Sequence, residues 1–305
     1  MNKRSVSVII LSFNTKDITN KCLGKLYLAK KAADKQMIET EVIVLDNASS
    51  DGSVEMIRNK HPWVKLIVSR QNTGFAKGNN IAMQEASSEY FLLLNSDAFV
   101  EKLTLVKAVN YFEKHPEVDV LGCRLNYPDG TFQPSAGELP GPNNIATWLL
   151  GLELIPATYR FLSPIHPKNI SYFSRDREVG WVMGSFMMLR RKVYEKTKGF
   201  DENFFMYTEE VEWCKRIKKA GFKIFYTPSF SVVHIGKASS KFVETTPLVR
   251  EMTGMKLFFK KHHPDYLAFL SLLIWFSSVL RLIVFGLFGK KEKARAYWRI
   301  ISGHE

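Results

Sequence analysis

The chain has 305 residues, 46% apolar and 24% charged, a balance that excludes disordered, collagen-like and coiled-coil classes and fits one large domain or two small ones. Its 43 Lys and Arg against 30 Asp and Glu give a net charge of +13, which favours polyanionic partners such as nucleotide phosphates, nucleic acid or an anionic membrane. Its three cysteines, Cys22, Cys123 and Cys214, lie far apart with no CxxC pair, so neither a disulfide framework nor a structural zinc site is expected, and a reducing compartment fits.

Lys3 and Arg4 precede the apolar stretch Val6–Leu11. It is too short for a signal-peptide core and no small-residue cleavage site follows, so it reads as a first buried strand. Further strand-like runs are Glu41–Leu45, Val64–Ser69 and Tyr90–Leu94, each short and rich in Val, Ile or Leu. Helical stretches lie between them, near Thr15–Lys31, Gly52–Lys60 and Ala76–Ala86. This βαβαβαβ order predicts an α/β fold whose mostly parallel sheet binds a ligand at its strand ends. A helix near Leu103–His115 and a strand near Val118–Arg124 continue the pattern. Residues 126–178, rich in Pro, Gly and Asn, predict loops and short helices that shape a cleft. The apolar run Gly180–Leu189 follows, then helices at Arg191–Thr197 and Glu209–Ala220, and strands at Lys223–Tyr226 and Ser231–His234.

Residues 267–288 are apolar except for three serines, Gly286 and Arg281. As a helix they would span about 33 Å, enough for a bilayer core. Arg281 near the middle and basic flanks on both sides argue against a single span. Ser271, Ser278 and Arg281 share one helical face. The expectation is a helix, whole or broken in two, lying in or on the cytoplasmic face of the inner membrane in a peripheral or monotopic manner. Residues 256–305 carry nine basic and three acidic side chains, which suits anionic lipid. The alternative is a helical pair packed on the rest of the chain or forming a homodimer contact.

No GxxxxGK[ST] loop occurs, and no GxGxxG follows a strand. Two carboxylates stand out instead. Asp46 ends the run VIVLD and Asp97 follows FLLLNS, each at the carboxyl end of a predicted parallel strand. Asp51, before Gly52, reads equally as a cap or turn residue.

Taken in order, SVIILSFN, VIVLDNASSDGS, NTGFAKGNN, LLLNSDA, VGWVMGSFMMLRR, KGFDENFFMYTEEVEWCKR and VVHIGKAS resemble family 2 glycosyltransferases of GT-A fold, close to the bacterial rhamnosyltransferase-like branch. The resemblance covers about residues 5–240. It implies a nucleotide-sugar-binding half (1–98) and an acceptor-binding and catalytic half (99–240) of one GT-A domain; it says little of the C-terminal helical segment (241–305), whose apolar and basic pattern predicts membrane association. Ser12, Phe13 and Asn14 would close over the donor base. Asp46 would accept a hydrogen bond from its ring N–H, with Asn47 and Asp51 near the ribose. Asn72, Gly74, Phe75, Lys77, Gly78 and Asn79 would line the nucleotide pocket, although Lys77 reads also as a surface lysine. Asn95, Ser96 and Asp97 occupy the DxD position, with Asn in place of its first Asp. Asp97 would hold Mg²⁺ or Mn²⁺ on the diphosphate. His234 would complete that metal site or bond the diphosphate directly. Glu210 would be the general base where the family usually carries Asp, and Glu209 would bind acceptor hydroxyls. Trp181, Gly184 and Ser185 would floor the sugar pocket, with core packing as the other reading of Trp181.

The resemblance thus implies an inverting transferase moving a sugar from dTDP-rhamnose or a UDP-sugar to a hydroxyl of a polysaccharide or lipid-linked glycan. A non-catalytic nucleotide-sugar-binding or scaffold subunit is the alternative that the Asn95 and Glu210 departures leave open. Nucleic acid is not an expected partner, since the charge lies beside an apolar helix and no aromatic platform or helix-turn-helix signal accompanies it.

Overall fold

The structure is a computed structural model and describes residues 4–155, 163–236 and 246–303. Its strands and helices follow in the order β1 (Ser5–Ser12), α1 (Lys16–Asp34), β2 (Glu39–Asp46), α2 (Ser53–Lys60), β3 (Lys65–Val68), α3 (Gly74–Gln84) and β4 (Tyr90–Leu94). Next come β5 (Ala98–Val100), α4 (Thr104–Lys114), β6 (Val120–Asn126), β7 (Phe132–Gln133), β8 (Ala136–Gly137), α5 (Ile145–Leu149), β9 (Arg177–Glu178), β10 (Trp181–Val182) and β11 (Phe186–Arg190). The chain continues through α6 (Arg191–Thr197), α7 (Glu209–Lys219), β12 (Ile224–His234), α8 (Thr246–His262), α9 (Leu267–Leu287) and α10 (Lys291–Ser302).

The main sheet has the order β3-β2-β1-β4-β11-β6-β12-β5. All of these strands run one way except β11 and β5. The order reverses between β1 and β4: β2 and β3 build outward on one side of β1, and α3 then crosses to β4 on the other. Such a switch point opens a crevice at the carboxyl ends of the strands. The loops after β1 and β4 flank it, and Thr15 Oγ1 lies 3.3 Å from Ser96 Oγ across the gap.

Alternation along the strands feeds two cores. Ile9, Ile43, Leu45, Phe91 and Leu93 pack on one face with residues of α3, α7 and α8. Val8, Ile10, Val44, Leu92 and Leu94 pack on the other with α1 and α4. Burial on both faces explains why these strands are apolar runs in the sequence.

Two elements differ from the sequence expectation. The run Gly180–Leu189 is two strands in two sheets, because β10 pairs with β8 while β11 inserts between β4 and β6. Lys223–Tyr226 and Ser231–His234 form one strand, β12, interrupted by a register shift between Thr227 and Ser231. Pro228 lies in that interruption and has no N–H for a ladder. The shift carries the end of β12 onto β5, where His234 pairs with Ala98, the residue after Asp97. The apolar C-terminal stretch is an unbroken helix, α9.

Helix α9 is turned inside out relative to a soluble amphipathic helix. Leu270, Ile274, Ser277 and Ser278 are buried, whereas Leu272, Phe276, Leu280, Ile283 and Leu287 are exposed. Arg281 lies on the polar side, 3.4 Å from the Ser277 carbonyl and 5.8 Å from the Tyr297 ring of α10. Pro264–Leu287 is long and apolar enough to cross a membrane, and only 22% of its most apolar window is buried.

Candidate active site

The loops after β1 to β4 knit together through polar side chains. Asn14, at φ 50°, accepts the Ser50 N–H (2.8 Å) and donates its own N–H to Ser49 Oγ (2.9 Å). Asn47 Nδ2 donates to Asn72 Oδ1 (2.9 Å), and Asn47 Oδ1 accepts the Thr73 N–H (2.9 Å). Asn72 also accepts the Gly74 N–H. Asp51 accepts the Lys16 N–H (2.8 Å) at the start of α1 and the Ser53 N–H at the start of α2, and these bonds hold its carboxyl below the usual range despite partial burial. Asp46 is fully buried: Oδ1 accepts the Ser49 N–H, and Oδ2 has no partner. A buried acceptor without a donor costs on the order of 1–3 kcal/mol, so Asp46 Oδ2 keeps an unused acceptor position at the end of β2.

Other residues of this half stand outside that polar network. The Ser12 hydroxyl is buried in a cluster with Thr15 and Thr19. Gly78 lets α3 lie against β1, since a Cβ there would sit 2.5 Å from Leu11 Cδ1. Asn79 Nδ2 bonds the Phe75 carbonyl inside α3. Lys77 is exposed, 3.8 Å from the Glu202 carboxylate. Phe13 is half-buried at the end of β1, and Ser96 is buried beside Thr15.

A cavity of about 530 Å³ joins the two halves. Phe75, Asn95, Asp97, Trp181, Gly184, Ser185, Glu209, Glu210 and His234 all line it, as do Gln133, His166, Leu248, Glu251 and Met255. The geometry at Asp97 is specific. His234 Nε2 is 3.2 Å from Asp97 Oδ1 and 3.4 Å from Asn95 Nδ2, and His234 Nδ1 is 3.1 Å from Gln133 Oε1. With Nδ1–H donating to Gln133, Nε2 turns a lone pair toward a carboxylate. Two electron-rich atoms so placed suit a shared cation, and an oxygen with an imidazole nitrogen is a donor set that a divalent ion accepts. Among the described residues no three His, Cys, Asp or Glu side chains gather as a metal cluster, so further ligands would have to come from phosphate oxygens.

Across the cavity, Glu209 and Glu210 open α7. The turn before them is strained, with Tyr207 at φ 73° and Thr208 at φ 71°. Two non-glycine residues in the left-handed region cost of order 1–3 kcal/mol each and persist only where the surroundings hold them. Two elements do so. On one side, Asn80 of α3 accepts the Phe200 N–H and donates to its carbonyl, and the Phe75 N–H donates to the Phe205 carbonyl. Gly74, at φ 80°, permits that contact, because a Cβ would lie 2.7 Å from the Phe205 carbonyl. On the other side α8 crosses at Gly254, where a Cβ would come within 2.7 Å of Thr208 Oγ1 and 2.9 Å of the Tyr207 carbonyl. Further along, Glu212 is buried and pairs with Arg216, Lys261 and His262 (2.9, 2.8 and 3.1 Å), pinning α7 to the end of α8.

Glu209 Oε2 and Glu210 Oε2 are buried without partners. Burial, and then the charge of Glu210, raise Glu209 well above the ordinary carboxyl pKa. Burial raises Glu210 as well, against the opposing pull of its own and the Gly184 amide. A carboxyl with a raised pKa beside an empty cavity is suited to take a proton near neutral pH. Trp181 borders the same space, but its indole N–H is committed to the Ile165 carbonyl (3.0 Å), leaving ring surface for contact. Gly184 faces Phe75, and the Ser185 hydroxyl is buried without a partner.

The family described as glycosyl transferase family 2 matches residues 7–198. This chain belongs to that family. It is 26% identical over 212 residues to the N-acetylglucosaminyl-diphospho-decaprenol L-rhamnosyltransferase of Mycobacterium tuberculosis, an alignment covering 63% of this chain and 66% of that one. The chain thus spans just under two thirds of that relative. It is 28% identical over 238 residues to the rhamnosyltransferase WbbL of Escherichia coli, covering 75% of this chain and 83% of the other. Among solved structures, the mannosyltransferase PcManGT of Pyrobaculum calidifontis, in complex with GDP-Man and Mn²⁺, aligns over 99% of this chain and 75% of its own, with TM-score 0.57 and 18% identity. Residues 1–349 of Staphylococcus aureus TarS, in complex with UDP, align over 100% and 91%, with TM-score 0.52 and 15% identity. At those identities the likeness is one of fold, the GT-A fold of glycosyltransferases.

Sequence reading missed one wall of the cavity. Leu248, Glu251 and Met255 come from α8, beyond the residues matched by the family and within the segment set apart as C-terminal. Their spacing of three and four was the available signal, in LVREMTGM, together with a lone acid in a basic stretch.

Proposed function

We propose that the chain is an inverting glycosyltransferase that moves a sugar from a pyrimidine nucleoside diphosphate, dTDP-rhamnose or a UDP-sugar, to a hydroxyl of a lipid-linked or polysaccharide glycan. The observation that carries this reading is the opposition, inside one cavity, of the Glu209 and Glu210 carboxyls on α7, each with one buried oxygen that lacks a partner, and the Asp97–His234 pair at the end of the nucleotide-type crevice. The names of the rhamnosyltransferase relatives support the sugar class.

The donor base lies over the loops after β1 and β2, where Asp46 Oδ2 accepts the ring N–H common to thymine and uracil. Asn47, Asn72 and Asp51 keep those loops in shape, and Phe13, Asn14 and Phe75 border the nucleotide. A Mg²⁺ or Mn²⁺ held by Asp97 and His234 would neutralise the diphosphate that leaves. Glu210 takes the proton of the acceptor hydroxyl as that oxygen attacks the anomeric carbon, and the bond to the diphosphate oxygen breaks on the opposite side. One displacement inverts the centre. Glu209, its buried neighbour, donates to or accepts from acceptor hydroxyls. Trp181 offers its ring to a sugar face.

The exposed apolar stripe of α9, followed by Lys290, Lys291, Lys293 and Arg295, supports attachment to an anionic cytoplasmic membrane surface, where a lipid-linked acceptor resides. A thermal-shift series with dTDP, UDP and GDP, each with and without Mn²⁺, tests the donor reading. A ligand at 100 times its Kd adds about 2.7 kcal/mol of stability. The expected result is a metal-dependent rise with a pyrimidine diphosphate alone. No shift with any nucleotide would refute it.

A further inference from the structure

The mechanism leaves one polar pair in the cavity unused. Glu251 of α8 and His166, from the segment before β9, face each other with Oε1 and Nε2 3.4 Å apart. That contact is long for a hydrogen bond, so both groups keep capacity for a hydroxyl. Each side chain is mostly buried, and both line the cavity that holds Glu210. The site is built. The His166 ring stands edge-on to Trp181 at 5.1 Å and beside Trp148 at 5.2 Å, and the Trp181 indole is fixed by the carbonyl of Ile165, the residue before His166.

The charge of the chamber limits what can occupy it. Asp97, Glu209, Glu210 and Glu251 line it, and among the described residues no Lys or Arg does, in a chain of net charge +13. The Asp97 end has a partner in the donor diphosphate and its cation. At the Glu251 end, no Lys or Arg among the described residues lines the cavity. An anionic group there would face uncompensated carboxylates in a low-dielectric pocket, whereas a hydroxyl would find an acceptor.

We propose that Glu251 and His166 form the acceptor subsite and that the unit it takes is an uncharged sugar, one hydroxyl of which bonds Glu251 while a neighbouring hydroxyl meets Glu210. This rests on the transferase reading and names its second substrate by class. The apolar face of the sugar lies toward Trp181, and any phosphate of a lipid-linked acceptor stays outside the chamber. Burial and then the Glu210 charge hold the Glu251 carboxyl up at about 7, while burial and then the Lys168 charge hold His166 down at about 4. His166 is therefore neutral at pH 7 and is able to donate or accept. Tyr297 of α10 feels the Glu251 charge.

The test is saturation-transfer NMR on the full chain with methyl glycosides of glucose, N-acetylglucosamine and rhamnose, and with methyl glucuronide as the anionic probe. UDP or dTDP with Mn²⁺ is present throughout. The expected result is binding of at least one neutral glycoside and none of the glucuronide. Glu251→Gln, which replaces one carboxyl oxygen by an NH₂ donor, should weaken the neutral glycoside by about tenfold. It should leave the affinity for the nucleoside diphosphate within about twofold. His166→Gln, which keeps a polar side chain, should weaken the same glycoside and guards against misfolding of the first variant. Equal binding of the glucuronide, an unchanged glycoside affinity in both variants, or no glycoside binding at all would overturn the proposal. Nucleotide binding reads the transferase reading separately: a chain that binds dTDP or UDP but fails these tests keeps the reading and loses the subsite.

Discussion

Gly254→Ala is the most informative single change, because it touches no proposed substrate contact and acts only through the turn that presents the acid pair. The added methyl would lie 2.7 Å from Thr208 Oγ1, 2.9 Å from Thr208 Cβ and 2.9 Å from the Tyr207 carbonyl. The hydroxyl can rotate away. The Cβ and the carbonyl can move only with the backbone of a turn already at φ 73° and 71°. Overpacking of this kind costs about 1–3 kcal/mol, and at about 2–4 °C per kcal/mol for a chain of this size the melting midpoint should fall by roughly 2–12 °C. The catalytic consequence should be larger. Displacing a reacting group by about 1 Å can cost on the order of 100-fold, and Glu209 and Glu210 follow Thr208 directly. The assay is nucleoside diphosphate release from a donor sugar, with donor affinity measured separately by titration. The expected outcome is kcat reduced by about 10- to 100-fold with nucleotide affinity unchanged. A variant with wild-type kcat and wild-type melting would refute the argument that α8 sets the acid pair.

Glu210→Gln should lower kcat by about 10²- to 10⁴-fold while donor binding persists, as expected of a general base; calorimetry with the nucleotide checks the second half. Because burial raises both Glu209 and Glu210, the acid limb of kcat/KM should lie above the ordinary carboxyl range and belong to the pair, with activity rising as pH rises through it, and Glu210→Gln should abolish that limb. Asp97→Asn should remove the Mn²⁺ dependence of nucleotide affinity, read by titration with and without metal. Burial pushes Glu212 up, yet His262, Lys261 and Arg216 hold it below its ordinary value. Its stabilising contribution is therefore full above the unfolded carboxyl pKa and lost as pH falls through the depressed one. Glu212→Gln should cost on the order of 3 kcal/mol at pH 7 and flatten the acid side of a melting-against-pH curve. Replacing Leu272, Phe276 and Ile283 by Ser should abolish co-sedimentation with anionic vesicles without lowering the melting midpoint.

The parallel half of the fold is readable because its strands are buried on both faces and so appear as unbroken apolar runs between helices. The two- and three-residue strands β5, β8, β9 and β10 leave no such signature, since pairing partners distant in sequence define them, and β7 is too short to show one. The site divides the same way. Asp46, Asp97 and His234 stand at strand ends, where an α/β sheet exposes chemistry, and Glu210 opens a helix of clear pattern. Ser12, Gly78 and Asn79 share the sequence neighbourhood of the crevice, yet their side chains or close contacts belong to internal packing, which only the tertiary arrangement reveals. The pairing of Glu251 with His166 leaves no mark in the sequence. They are 85 positions apart and meet only because α8 folds back over α7.

The irregularity in β12 fixes a length. Ile224 and Tyr226, before it, belong to one core, whereas Phe230 and Val232, also even-numbered, belong to the opposite one. A regular strand would keep all four on a single face. The interruption therefore reverses the parity of every residue that follows, His234 included. Ser229 is exposed and ordinarily such a position would accept an extra residue or lose one without harm. Here a gain or loss of one residue would restore plain alternation, turn Val232 into the wrong core and swing His234 away from Asp97. Substitutions at Ser229 are cheap; changes of length are not.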